Sequence, residues 1–111
     1  MSKSNEFDLK VANKLIALRN SAKSRGIDFD LSFNKVKKIL LAKRCYFTGV
    51  LLSDNPDDSN YVSFDRVDNN RGYVDDNVVA CSKAFNQRKG NLTISEIVLL
   101  YNKTKKFANK K

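Results

Sequence analysis

Histidine is absent from all 111 residues, so no imidazole is available as a general base or a metal ligand. Cysteine occurs twice, at Cys45 and Cys81. Two thiols do not make a disulfide framework, and in a reducing cytosol they stay free. Tetrahedral zinc takes four Cys or His ligands, which this chain cannot supply, so structural zinc is not expected. The one proline, Pro56, sits in Ser53-Asp54-Asn55-Pro56-Asp57-Asp58-Ser59-Asn60, a run of turn formers that marks a loop. No stretch approaches the roughly 18 apolar residues of a membrane span. Met1 to Glu6 hold no apolar run of the signal-peptide kind. These absences predict a soluble, intracellular protein with no membrane partner.

What is present is charge, and it is unevenly placed. The net charge is +9, from 21 Lys/Arg against 12 Asp/Glu. Residues 1–44 hold 11 basic and 4 acidic side chains, residues 45–80 hold 2 and 7, and residues 81–111 hold 8 and 1. Two basic blocks flank an acidic one. The blocks suit a polyanion such as nucleic acid, and the acidic centre suits a divalent cation beside a phosphate backbone. The plainer alternative is that the Lys-rich helices are solvated faces. A chain of this length forms one domain that buries about 65% of its unfolded surface.

The hydrophobic pattern predicts helices at both ends. Val11, Leu15, Leu18 and Ala22 share a helical face over residues 8–24, and Gly26 is placed to end that helix. Ile27 to Leu31 alternates and reads as a short extended link. Ser32 can cap a second helix to about Ala42, with Phe33, Val36, Ile39 and Leu40 inward. Thr48-Gly49 marks a tight turn, Tyr61 to Val67 a strand, and Asp68 to Asp76 a polar loop. Val78-Val79-Ala80 is a short strand or the run into a helix over about 81–88, with Cys81, Ala84, Phe85 and Arg88 on one face of that helix. Thr93 and Glu96 form a capping box for a last helix to about Phe107, with Ile94, Ile97, Val98 and Tyr101 inward. Tyr46 and Phe47 are expected in the core.

Four stretches carry a family pattern: Cys45-Tyr46-Phe47-Thr48-Gly49; Ser63-Phe64-Asp65-Arg66-Val67-Asp68-Asn69-Asn70-Arg71-Gly72-Tyr73; Asn77-Val78-Val79-Ala80-Cys81; and Phe85-Asn86-Gln87-Arg88-Lys89-Gly90. Together with Ala22 to Leu31 before them, they resemble the HNH (His-Me finger) endonuclease superfamily over about residues 20–98. The resemblance implies an α+β fold with a ββα-metal, treble-clef-like core over 45–92. A basic helical segment over 1–44 would pack on that core, and a helix with a basic tail would follow over 93–111. It implies metal-dependent hydrolysis of DNA phosphodiesters. Asp65 and Asn86 match the metal-ligand positions, for Mg²⁺ or Mn²⁺, and Asn77 matches the residue that pins the loop. Small proteins of this type occur in phage genomes, which implies the cytoplasm of a bacterial or phage-infected cell.

Arg66 stands where the family carries its catalytic histidine. Arginine does not accept a proton in proteins, so Arg66 cannot activate water. Positioned base catalysis supplies roughly 10²–10⁴-fold, so its loss predicts slowed cleavage. If the chain cuts, Asp68, Tyr61, Tyr73 or the metal's own water takes the proton. Arg66 itself, counted with the catalytic set Asp65, Asn77 and Asn86, suits phosphate binding. Arg71, Lys83, Arg88 and Lys89 are further candidate nucleic-acid contacts; otherwise they are ordinary helix surface. Each cysteine resembles half of a zinc knuckle, and the two are expected to lie close together as small buried residues. A homodimer cutting both strands and a monomer nicking one fit this sequence equally. A nucleic-acid-binding module without chemistry and a phage-encoded inhibitor of a host enzyme are the competing functions.

Overall fold

A computed structural model of the chain describes residues 3–90 and 92–109. Its elements are α1 (Lys3–Ser24), β1 (Phe29–Asp30), α2 (Phe33–Leu40), β2 (Val62–Arg66), β3 (Tyr73–Val74), β4 (Val78–Ser82), α3 (Lys83–Lys89) and α4 (Ile94–Asn109). The architecture is α+β, with four helices and two small sheets among the described residues. No described helix is long and apolar enough to cross a membrane.

The apolar stripe of α1 faces the core. Val11 and Ala22 are fully buried, and Leu15 and Leu18 pack against the same cluster. The helix begins earlier than residue 8 because Phe7, one turn before Val11, also packs inward. At its end Ile27 N–H reaches the Ala22 carbonyl and Gly26 N–H reaches that of Lys23, with Gly26 at φ +67°. This paired closure needs a left-handed residue, which glycine provides without a Cβ penalty. Ser32 caps α2 by accepting from Lys35 N–H. Val36 and Ile39 are buried, while Phe33 and Leu40 pack against the cluster.

β2 and β4 pair antiparallel, with Asp65 opposite Val79 and Arg66 opposite Val78. Strand side chains alternate between faces. Phe64 therefore joins the apolar cluster with the helices α1 and α2, while Asp65 turns to the face covered by α3. The polar loop after β2 contains a strand that its sequence does not announce. Tyr73 and Val74 pair parallel with Phe29 and Asp30. Gly72 makes this approach feasible: a Cβ there would lie 2.7 Å from the Asp28 Cβ and closer still to its carbonyl oxygen.

Three expectations need correction. Cys81 belongs to β4, not to the following helix, which starts only at Lys83. Tyr46 is 66% exposed at the tip of the Cys45–Gly49 turn, stacked edge-on against Phe47. Phe47 is half-buried against Phe85. In α4, the Thr93–Glu96 capping box forms in both directions. Yet Val98 and Tyr101 are exposed, with Leu99 and Leu100. The apolar run encircles α4, so its period selects no face, and α2 and α3 already pack against both strands of the hairpin. The side chain of Ile94 lies outside the described residues.

Candidate functional site

β4 passes into α3 without a loop. Ser82 ends the strand and caps the helix by accepting from Phe85 N–H. Asn86 and Lys89 follow three residues apart, so they share a helix face, and that face meets β2. Asn86 donates to the Ser63 hydroxyl at 2.9 Å. Lys89 reaches Asp65 and the Arg66 carbonyl. Asp65 and Asn86 both line a cavity of about 150 Å³, together with Arg25, Arg66 and Tyr73. The sequence separation from Asp65 to Asn86 is bridged entirely by the hairpin register.

Asp65 is 6% exposed and Lys89 is 2% exposed. The ammonium lies 3.3 Å from Oδ2, an ion-pair contact that lacks the alignment of a hydrogen bond. Its aligned donation goes to the Arg66 carbonyl at 3.2 Å. Burial pushes the Asp65 carboxyl above its ordinary range, and the Lys89 and Arg66 charges pull it partly back. This arrangement corrects the reading of Lys89 as a nucleic-acid contact. Its position on the inner face of α3 buries the ammonium against a carboxylate, out of reach of a solvent-side phosphate.

Arg66 and Asn77 organise the loop between β2 and β3. Arg66 Nη1 donates to the Asn69 and Arg71 carbonyls, both at 3.0 Å. Its guanidinium also lies 5.3 Å from the centre of the Tyr73 ring. Asn77 is buried; its Oδ1 accepts from Asp68 N–H, and its Nδ2 donates to the Asp68 and Gly72 carbonyls. The side chain thus satisfies three backbone groups of a loop that has few partners of its own. Tyr73 is buried against Phe29, and its hydroxyl accepts from Arg25 at 2.7 Å. Among the other candidate proton acceptors, Asp68 is exposed and holds Asn70 N–H, and Tyr61 is half-buried.

The remaining basic candidates divide. Lys83 is exposed and lines a larger cleft with Asn86. Arg71 is exposed but engaged with Asp76 at 2.7 Å. Arg88 is exposed near the end of α3. Lys14 of α1 and Arg25, the residue just after it, line the clefts without having been singled out in the sequence. Lys14 falls seven residues before Ser21 and eleven before Arg25. Lys14 and Ser21 share one face of α1, and Arg25 follows one residue past its end, the available signal for their convergence.

The two thiols lie 3.7 Å apart, both buried. Cys45 heads a turn closed by Gly49 N–H to its carbonyl, and Tyr46 N–H ties that turn to the Ala80 carbonyl. Burial raises the Cys45 thiol, but hydrogen bonds from Thr48 and from the Ser82 and Phe47 backbone outweigh it and bring it down to about 7. Burial, the adjacent Cys45 sulfur and the Asp65 charge all push Cys81 up. Among the described residues no three His, Cys, Asp or Glu side chains converge as a metal cluster.

Over 98 residues the chain is 37% identical to a protein of Enterobacteria phage T4 described as an uncharacterized 29.0 kDa protein in the dda-modA intergenic region. The match covers 88% of this chain and 39% of that protein, so the chain spans about two fifths of this relative's length. No family model matches the chain, and no solved structure matches it.

Proposed function

We propose that the chain is an HNH-like endonuclease that hydrolyses DNA phosphodiester bonds with a divalent metal ion, on a ββα-metal core formed by β2, β4 and α3. The observation that carries this reading is the convergence of Asp65 and Asn86 on one small cavity that Arg25 and Arg66 also line. A carboxylate and an amide oxygen fit a hard ion such as Mg²⁺ or Mn²⁺ that retains most of its waters. Lys89 already offsets the charge of Asp65, so the fit is to a weakly held ion. When bound, the ion would stabilise charge on the leaving 3′ oxygen.

The chain's own groups have distinct tasks in this reading. Asn77 and Arg66 keep the loop closed over the site, and Arg25 and the remaining guanidinium N–H groups of Arg66 meet phosphate oxygens. Tyr73 is engaged by Arg25, which leaves Asp68 and Tyr61 as protein groups to accept a proton. Without a positioned imidazole, turnover is expected to fall roughly 10²–10⁴-fold below a base-assisted reaction. The phage T4 relative supports a phage setting, and hence a bacterial cytoplasm.

The test is supercoiled plasmid with Mg²⁺, Mn²⁺ or EDTA, using wild type, Asp65→Asn and Asn86→Ala. Asn86→Ala leaves the buried ion pair intact, so it separates loss of chemistry from loss of fold. Metal-dependent nicking that disappears in both folded variants is the expected result. Linear product at early times would add a homodimer acting on both strands. An intact plasmid at high enzyme and long times retires the nuclease. The second reading, a nucleic-acid binder without chemistry, would then stand. It is favoured by the Lys89 ammonium already seated against Asp65.

A further inference from the structure

A cleft of about 680 Å³ runs between α1, β2 and α3 and adjoins the small cavity, sharing Arg25, Phe64, Tyr73 and Asn86 with it. Three cations line it: Lys14 from α1, Arg25 from the turn that follows it, and Lys83 from α3. No acidic side chain lines it. The ion pairs among the described residues are Lys37–Asp8, Arg71–Asp76 and Lys89–Asp65, so none of the three cleft cations is neutralised. Two of them are held in place by aromatic rings of the floor. Lys14 Nζ lies 5.5 Å from the centre of the Phe64 ring, and the Arg25 guanidinium 5.6 Å from that of Tyr73. Cations fixed over aromatic faces without carboxylate partners form a preorganised anion receptor. From Lys14 to the end of α1 at Ser24, beside Arg25, the track extends about 15 Å, long enough for several phosphates.

We infer that this cleft is the binding track for a single strand of DNA, whose sugar-phosphate backbone lies across Lys14, Arg25 and Lys83 and leads into the Asp65–Asn86 cavity. The inference rests on the nucleic-acid reading proposed above and names the form of the substrate. The cleft falls within the roughly 300–1,000 Å³ that encloses a drug-sized ligand. A short stretch of single strand enters such a space, whereas a duplex rests on its edges. A basic groove with aromatic side chains is also the general design of single-strand binders. Ser21 and Ser63 line the same track and supply hydroxyl donors.

The experiment is fluorescence anisotropy with a labelled 12-mer, single-stranded or annealed, in EDTA between 50 and 200 mM salt. The full chain is compared with Lys14→Gln/Lys83→Gln and with Lys38→Gln/Lys43→Gln, which removes the same charge from exposed positions outside the cleft. Each single-strand phosphate contact contributes about 0.7 to the slope of log affinity against log salt. The cleft double variant should lose about 1.4 from that slope, which is about 25-fold in affinity at 0.1 M salt. The control variant should lose far less, and wild type should bind the single strand more tightly than the duplex. Equal losses in both variants, or tighter duplex binding, overturn the inference. Because binding is read without metal, the two proposals fail separately. Single-strand binding without nicking retires the nuclease and keeps the cleft. Nicking with no special loss in Lys14→Gln/Lys83→Gln retires the cleft and keeps the nuclease.

Discussion

Replacing Lys89 with methionine tests the buried ion pair at the centre of the site. Methionine fills similar volume but removes the ion-pair partner of Asp65, which is 6% exposed, and leaves the Arg66 charge as the cation acting on it. At 3.3 Å the pair's attraction is about 5 kcal/mol for an effective dielectric near 20. Against it stand desolvation costs of several kcal/mol per ion, so the pair's net contribution is small. Losing one partner is different, because the other stays buried and charged. Lys89→Met should cost about 3–5 kcal/mol at neutral pH, a large part of the ~5–15 kcal/mol that holds a domain folded. Adding Asp65→Asn should recover part of the loss. The pH dependence has a definite sign. The carboxyl of Asp65 is raised by burial, so its contribution to stability is fully present below its unfolded value near ~3.9 and is lost as pH rises through the folded value. Without Lys89 the folded value rises further, so the cost of Lys89→Met should grow from acid to neutral pH. Urea unfolding between pH 4 and 8 measures this. A cost within ~0.5 kcal/mol of wild type, the ordinary surface range, or a double variant that merely sums the singles, refutes the reasoning.

Gly72→Ala places a Cβ against the Asp28 backbone, where neither chain can yield without separating β1 from β3. A loss of about 1–3 kcal/mol in thermal unfolding is expected, with faster hydrogen exchange at Tyr73 N–H. Asp75 accepts from Ser32 N–H at the start of α2 at 2.8 Å, and that hydrogen bond lowers its carboxyl below the ordinary value. Asp75→Asn should cost on the order of 0.5 kcal/mol at pH 7, a small figure because the side chain is exposed. The stabilisation is present above the unfolded value and lost as pH falls through the folded one, so wild type and variant should converge in acid melts. Cys45 titrates near 7 while Cys81 is raised. Mass-mapped alkylation should therefore label Cys45 first, with a rate that climbs through pH 7; preferential labelling of Cys81 in the folded protein refutes that assignment.

Much of the fold was legible because it follows local rules. The α1 stripe, the Gly26 closure, the Ser32 cap and the Thr93–Glu96 box depend on residues within a few positions of one another. The β2 strand was legible from its β-branched and aromatic run. The candidate site was only partly legible. Motif spacing singled out Asp65, Asn77 and Asn86, but no spacing reveals that Lys89 turns inward while Lys83 stays out. Both read as basic residues on a short helix, and the carboxylate that separates them lies on another element. The β1–β3 pair was missed because two-residue strands have no measurable period and lie 44 residues apart.

The sequence by itself determined the helical ends, the strand over Tyr61–Val67, the charge blocks and the lack of any imidazole, since composition and near-neighbour chemistry set these. Tertiary structure alone decided that Lys89 neutralises Asp65, that Arg66 closes its own loop, and that Lys14 and Arg25 face a cleft shared with Asn86. Each of those outcomes depends on burial and on partners from distant elements. A side chain's environment exists only once the elements have packed.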